Sequence, residues 1–520
     1  MIQSTVNPTN SWMGADLAAC GDPIAFQSRL RPNALAIRSA ENGRELSYQQ
    51  FHCLINRLAG ALSGIVAKPL SARIAVLGRN SIEQVALAMA CQRVGAIFVP
   101  LNWRLSGVEL ARILADCEPV LLLVDDEFEE AARIAAHKQT RVLMRLRGPF
   151  SFAEQTADDG WTQHQAPDGN AACALLYTSG TTGQPKGVVV TRSGAFAAAL
   201  NMALVGEINA RAVMLCDVPL FHTVGLFAVA RATLTLGGFL VLSEGFTPAL
   251  TLERLSNPIM GLTHYFGVPQ IAAALLAEPA FLTADLSRLK AIFVGGAPLP
   301  KFLVDAYLER GVVLVNGYGM TEAGTVIHMP LDVEATRGNP GAIGYPAPCV
   351  AIRLADEDGV DVAPGEAGEI WVSGPAVTPG YWCRPEANAE SFRNGWFRTG
   401  DVARVDPDGL YHLLDRRKDM YISGGENVYP AEVESVLLAH PQITEAAIVG
   451  VPDDRWGETG VAFVVARPGS IIEEDGVLAA CRERLARYKH PAQVEFIDIL
   501  PRTAAGKVQK DLLRARFLSR

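Results

Sequence analysis

The sequence predicts a layered α/β protein whose later part turns to antiparallel sheet and ends in a small α+β unit. Three observations carry this. With 520 residues the chain exceeds one ordinary core, so several packed subdomains are expected. Apolar strands alternate with amphipathic helical intervals from about Leu46 onward, the pattern of parallel α/β packing. After about Asp332 those intervals give way to short strands broken by Asp-Gly and Pro-Gly turns.

Taken in order, "SYQQFHCLINRLAGALSGI" after Leu46 repeats apolar residues at three and four, and Ser47 with Gln50 forms a capping-box signature. "ARIAVLG" (72–78) reads as strand, "SIEQVALAMACQRVG" as helix and "AIFVPLN" as strand; "GVELARILADCEPVLLLVDD" repeats the alternation. The pattern returns in "PIMGLTHYFGVPQIAAALLAE", "LKAIFVGGAPLPKFLVDAYLERG" and "VVLVNGYG". Antiparallel sheet is expected from "AIRLADEDGVDVAPGEAGEIWVSGPAVTPGYW" through "GWFRTGDVARVDPDGLYHLLDRRKDM". "YPAEVESVLLAHPQITEAAIVGVPDD" then reads as helix, strand and loop, "TGVAFVVA" as strand and "GVLAACRERLAR" as helix. The charge-dense turn near Arg416–Lys418 marks a hinge-like boundary, dividing 1–417 from 418–520.

Composition is 49% apolar and 19% charged, ordinary for a soluble globular chain, and a net charge of -9 disfavours a nucleic-acid surface. The nine cysteines include no CxxC and are widely spaced, against a disulfide framework or zinc knuckle. The first residues lack a basic stretch followed by an apolar one; with reduced thiols, this gives a cytoplasmic expectation. The apolar run Leu226–Leu242 is broken by Arg231 and two glycines, so no stable membrane insertion is expected.

The segment "TSGTTGQPKG", 178–187, follows the apolar strand "CALLY". Glycine permits turns that aim several backbone N–H groups at one anion. Thr178, Ser179, Thr181 and Thr182 add hydroxyls, Gly180 and Gly183 add turn freedom, and Lys186 adds a positive charge. This chemistry suits a polyphosphate. It is not the GxxxxGK[ST] loop, because Pro185 interrupts the spacing and Gly187 follows the lysine. Composition alone also suits a flexible surface loop; the ordered pattern is more specific.

"YTSGTTGQPKG" resembles the signature loop of the acyl-adenylate-forming (AMP-forming) superfamily, which holds acyl- and aryl-CoA synthetases, peptide-synthetase adenylation domains and beetle luciferases. "PLFHTVGL", "GGAPLP", "NGYGMTEAG", "GWFRTGD", "DRRKDMYISGGENVYPAEVE" and "PRTAAGKVQK" agree in order, so the likeness covers nearly the whole chain. It implies a large N-terminal domain of α/β subdomains plus a distorted barrel, and a small mobile C-terminal α+β domain. It also implies an ATP-dependent reaction: a carboxylate becomes an acyl-adenylate with release of pyrophosphate, and the acyl group then passes to a thiol, usually that of CoA.

By this resemblance the 178–187 loop holds the β- and γ-phosphates, Tyr318 stacks on adenine, and Gly296, Ala297 and Pro298 line the same pocket. Thr321 bonds a phosphate oxygen and Glu322 helps hold Mg2+, as one carboxylate with phosphates and waters suits magnesium. Asp401 accepts from both ribose hydroxyls, and Arg416 also reaches the ribose. Lys507 is the adenylation lysine, bridging the substrate carboxylate and the α-phosphate where charge builds. Lys418 is the hinge about which the small domain swings between the two half-reactions. Gly424 and Gly425 border the pantetheine tunnel. Trp456 either stacks on the CoA adenine or anchors its own loop, and Arg79 is a weaker candidate for the CoA phosphates. His222 stands at the junction of acyl pocket and CoA channel without being assigned as the base. The pocket includes His222, Thr223, Val224, Phe266, Gly267, Ala297, Gly317, Met320 and Thr325. Two departures stand out: Ala505 replaces a hydroxyl residue beside Lys507, and Arg192 follows "KGVVVT" where many relatives carry histidine. Neither removes a residue essential to the chemistry.

No acidic partner for a substrate amine is evident at the pocket positions, Asp217 reading as structural, and the absence of a pocket arginine argues against malonate. Gly317 is expected to leave the pocket deep, which favours an apolar acid larger than acetate: a benzoate- or cinnamate-type acid first, a medium fatty or sterol side-chain acid second. Two alternatives stay open. One is loading of a carrier protein, for which "CRERLARYKH" from Cys481 is a basic docking candidate, although it also reads as an amphipathic helix with a solvated face. The other is a non-catalytic ATP-binding regulator, against which intact Lys507, Glu322 and Asp401 speak. Relatives occur as monomers or dimers, so a homodimer is allowed.

Overall fold

The helix expected after Leu46 runs Tyr48–Ile65 and opens with a reciprocal capping box: Ser47 Oγ accepts from the Gln50 N–H, and the Gln50 side chain accepts from the Ser47 N–H. The computed structural model describes residues 21–66, 71–135, 142–146, 152, 168–179, 185–296, 299–417, 419–423, 426–453, 455–470, 472–482, 484–503 and 507–519. These form four sheets.

The first sheet orders its strands Val142–Arg145, Leu121–Val124, Arg73–Leu77, Ile97–Pro100, Ala172–Ser179 and Pro185–Thr191. All pairs are parallel except the last, an antiparallel hairpin whose stems set Thr178 opposite Lys186 and Ser179 opposite Pro185. The second sheet has nine strands, with a parallel centre of Leu314–Met320, Ala291–Gly295, His264–Gly267, Val213–Cys216, Phe239–Leu242 and Leu35–Ser39. The strands Ala291–Gly295 and His264–Gly267 are buried throughout, as expected where both faces are covered. Local alternation does not reveal that Leu35–Ser39 skips the first sheet to pair with Phe239–Leu242.

The third sheet is antiparallel throughout: Ala351–Ala355, Gly368–Ser373, Phe392–Arg393, Trp396–Val405 and Tyr411–Arg416. The fourth holds Tyr421–Ser423, Glu426–Val428, Ile443–Asp453, Gly457–Ala466 and Gln493–Phe496. Strand alternation gives it two apolar faces. Ala446, Ile448, Ala462 and Val464 pack with the helices Pro430–Leu438 and Glu474–Arg482. Ala447, Val449, Val461 and Phe463 pack with Leu513 of the helix Lys510–Leu518.

A hydrogen bond ties the third sheet to the fourth, beside an ion pair of the fourth-sheet unit. The Asp415 carboxylate accepts from the Ala431 N–H (2.7 Å) in the first turn of Pro430–Leu438, and Lys510 pairs with Glu434 (2.8 Å) near the same carboxylate. Burial lifts Asp415 to about 6, against the pull of Lys510. The hinge candidate Lys418 lies outside the described residues.

The apolar run from Leu226 to Leu242 is not one helix. A π-helical stretch, Val224–Arg231, passes into a single turn, Ala232–Thr235, and then the strand Phe239–Leu242. Among the described residues no helix is long and apolar enough to cross a membrane. The helix expected over "GVLAACRERLAR" begins earlier, at Glu474, where Glu474 and Asp475 suit the positive helix start.

Candidate active site

The hairpin of Trp396–Val405 with Tyr411–Arg416 sets Asp401 directly opposite Arg416. Arg416 Nε lies 3.2 Å from Asp401 Oδ1, and the Tyr318 hydroxyl donates to Asp401 Oδ2 at 2.6 Å. Tyr318 comes from a different sheet, so this bond joins the second and third sheets. Burial and the Asp401 charge raise the Tyr318 phenol well above its usual range, so it remains a donor. A carboxylate has about four lone-pair sites. Asp401 therefore keeps acceptor capacity for further hydroxyls.

Thr321 and Glu322 occupy the turn between Leu314–Met320 and Gly324–His328. Glu322 is buried, and its Oε1 accepts from the Tyr381 hydroxyl at 2.9 Å. Tyr381 was not read from the sequence as a site residue. It reaches Glu322 because its segment docks on the phosphate-loop stem: Trp382 N–H donates to Gly187 O (2.7 Å), and Val189 N–H donates to Gly380 O (3.1 Å). Lys186 Nζ then stands 5.2 Å from the Tyr381 ring centre. Burial raises the Glu322 carboxyl, while Tyr381, Lys507 and Arg416 draw it back down.

Glu322 Oε2 has no hydrogen-bond partner among the described residues. No cluster of three His, Cys, Asp or Glu able to hold a metal occurs among them either. That donor set fits Mg2+, which keeps waters and phosphate oxygens around one carboxylate. Tyr381→Phe is expected to weaken apparent Mg2+ affinity by about tenfold, since partners of a metal-binding carboxylate tune its affinity. Pyrophosphate exchange measured against Mg2+ concentration checks this; an unchanged half-saturation would exclude Tyr381 from positioning Glu322.

Lys507 sits in a tight turn in which Thr503 N–H donates to Lys507 O (2.8 Å) and Lys507 N–H donates to Thr503 Oγ1 (3.3 Å). Its charge acts on both Glu322 and His222, so the C-terminal unit faces the cluster. His222 lies against Phe221, ring centres 4.5 Å apart. Gly225 permits this corner, since a Cβ there would come within 2.4 Å of Pro219 O. Burial, reinforced by Arg104 and Lys507, lowers His222 to about 4. The imidazole is therefore neutral above that pH. Histidine NMR should give its titration midpoint near 4; a midpoint at the ordinary value of about 6.5 would mean a solvated ring.

The proposed acyl-pocket residues divide by face. Thr223 and Val224 begin the π-helical stretch, and Phe266 is 9% exposed on the second sheet. Met320 Sδ lies 3.9 Å from the Tyr318 hydroxyl, and Thr325 O accepts from Asn201 Nδ2 (3.0 Å). Two expectations change. A Cβ on Gly267 would lie 2.9 Å from Ile271, on the side opposite Phe266, so this glycine serves helix packing and offers the pocket only backbone. Gly317 does not leave empty depth, because its missing side chain is replaced by the His328 ring, 2.9 Å from where a Cβ would stand. The strand pairing Gly317↔His328 causes this, and His328 too was missed in the sequence.

Similarity to known proteins accords with this geometry. The AMP-binding enzyme family matches residues 25–382, and the AMP-binding enzyme C-terminal domain matches 432–507. The chain belongs to the AMP-binding enzyme family. Feruloyl-CoA synthase of Amycolatopsis sp is 42% identical over 94% of this chain and 97% of its own length. Indoleacetate–CoA ligase of Aromatoleum aromaticum is 39% identical over 93% of this chain and 95% of its own. Among solved structures, ATP-bound MatB from Rhodopseudomonas palustris superposes with a TM-score of 0.86 at 31% identity, covering 95% of this chain and 99% of that one. These relatives put this AMP-binding enzyme among the AMP-forming carboxylate–CoA ligases.

The remaining sequence candidates of this AMP-binding enzyme are placed as follows. Gly296 is exposed with φ +86, in the left-handed region that favours glycine. Thr178 Oγ1 lies 3.5 Å from Lys186 O across the hairpin. Gly180, Thr181, Thr182, Gly183, Ala297, Pro298, Lys418, Gly424 and Gly425 lie outside the described residues, as does the side chain of Ser179. Trp456 is 41% exposed, stacked under Arg455 with its N–H held by Asp453, as a residue anchoring its own loop would be. Arg79 is engaged by Glu127 (2.6 Å) and lies 3.8 Å from the Trp103 ring centre. Asp217 is structural: it accepts from Thr251 and Tyr265 in the core. Arg192, the departure after "KGVVVT", is buried and donates to Gln92 O.

Proposed function

We propose that this enzyme activates an aromatic carboxylic acid with ATP and transfers the acyl group to CoA. The observation that most supports the chemistry is the Tyr318–Asp401–Arg416 cluster beside the buried Glu322 held by Tyr381, with the Lys507 charge acting on Glu322 and His222. In the first step a carboxylate oxygen attacks the α-phosphorus and pyrophosphate leaves. Lys507 stabilises the charge that builds between these groups. Asp401 and Arg416 hold the ribose, Tyr318 faces the adenine, and the Thr178–Lys186 stems with Thr321 hold the phosphates. Glu322 would hold Mg2+, which when bound would supply charge neutralisation for the phosphate oxygens. In the second step the thiol sulfur attacks the acyl carbon, AMP leaves, and the thiol proton is released.

The aromatic preference rests on two supports. Feruloyl-CoA synthase and indoleacetate–CoA ligase are, by name, enzymes of aromatic acids. Phe266 of the proposed pocket is backed by the fully buried Phe293, whose ring also packs against His328. In this reading residues 1–417 and 418–520 act as two bodies about Lys418, and the swing brings Gly424 and Gly425 to the thiol path.

The test is pyrophosphate release with ATP and Mg2+ over a panel of benzoates, cinnamates, fatty acids and malonate, each with and without CoA. Release with aryl acids, and aryl-CoA by mass spectrometry, is expected. Release without thioester would redirect the acyl group to a carrier protein. Lys489, within the basic segment that reading needs, is already gripped by Glu432 at 2.7 Å.

A further inference from the structure

One face of the nine-stranded sheet carries Phe266, Phe293, Gly295, Gly317 and His328, aligned by the pairs Phe266↔Phe293, Gly295↔Gly317 and Gly317↔His328. Gly317 is partly exposed on this face, whereas His328 is 6% exposed. A Cβ on Gly317 would lie 2.9 Å from His328 Cδ2 and 3.6 Å from its Nε2. The ring edge bearing Nε2 thus takes the place of the absent side chain. His328 Nδ1 lies 2.6 Å from Met329 O. A carbonyl only accepts, so Nδ1 carries the proton and Nε2 presents a bare lone pair. No described residue donates to Nε2. Burial keeps the ring neutral, with its pKa at about 4. His328 is thus a nine-tenths-buried side chain whose Nε2 has no protein donor among the described residues and stands where a Gly317 side chain would face the proposed pocket, so a ligand donor there would satisfy it.

We propose that His328 is a specificity-determining residue: its Nε2 accepts a hydrogen bond from a hydroxyl at the far end of an aryl acid. Hydroxylated aryl acids are then preferred to analogues lacking the donor. This rests on the aryl-acid–CoA ligase reading above. Scale is consistent with it. Thr321, at the reacting end, and Gly317 are four residues apart in extended chain, a span of up to about 13 Å. A hydroxylated ring on a short carbon arm covers more of that span than a benzoate does.

The experiment compares kcat/KM for pyrophosphate release with cinnamate, 4-hydroxycinnamate and 4-methoxycinnamate, and with the matching benzoates. The native enzyme is expected to favour the hydroxy acid over both others by about tenfold or more. The methoxy acid keeps oxygen and bulk but lacks the proton, so it isolates the donor. His328→Leu should erase the preference while retaining turnover of the unsubstituted acid, and His328→Gln, which keeps an acceptor, should retain part of it. Equal turnover of hydroxy and methoxy acids by the native enzyme would overturn the proposal without any variant. So would a preference that survives His328→Leu. Activation of fatty but not aryl acids would instead overturn the aryl reading, and this inference with it.

Discussion

Lys507→Ala is expected to slow acyl-adenylate formation by about a hundred- to thousandfold, the range for losing one preorganised charge-stabilising group. Thioester formation from a supplied acyl-adenylate should remain nearly unchanged. The asymmetry follows from charge. In the first step two anions, the carboxylate and the α-phosphate, approach while the pentavalent centre forms; in the second, AMP departs from a neutral acyl carbon. Lys507 is exposed, held through its backbone turn to Thr503, so truncating it removes charge and little packing. Separate assays of the half-reactions decide the matter. Equal loss in both would make Lys507 a general structural or docking residue.

Asp401→Ala should cost both stability and nucleotide affinity. Asp401 is 5% exposed and is the acceptor for the buried Tyr318 hydroxyl. Removing it leaves that hydroxyl only weak alternatives such as Met320 Sδ at 3.9 Å, a loss of about 1–3 kcal/mol. Arg416 adds little to this cost, because its side chain is 40% exposed and water compensates it. Loss of charged acceptors for the ribose hydroxyls should raise KM for ATP by about ten- to a hundredfold. Thermal unfolding and ATP titration read the two effects separately. A lowered Tm with unchanged KM would confine Asp401 to bracing the second sheet against the third. Asp401→Asn, which can still accept from Tyr318, should recover most of the stability and only part of the affinity.

Much of the molecule was legible from local pattern. The capping box at Ser47 and Gln50, the parallel alternation and the switch to antiparallel strands after Asp332 are properties of short windows, and short windows are what residue periodicity reports. Tyr318, Glu322, Asp401, Arg416 and Lys507 could be proposed from the sequence because each sits in an ordered motif. Their convergence is now visible as bonds and fields between separate sheets.

Three things were decided only by tertiary structure. Tyr381 reaches Glu322 because the segment around Gly380 docks on the Pro185–Thr191 strand, a contact between residues nearly two hundred positions apart. His222 is neutral because burial and two cations act on it, and no adjacent residue in the sequence announces either. At Gly317 the sequence predicts open space; the register of the facing strand lays His328 across it. The sequence determines the chemistry each position can offer and the element in which it lies. Which groups meet, which stay charged and which gap is filled depend on pairing across sheets and on desolvation, which arise only when distant segments pack together.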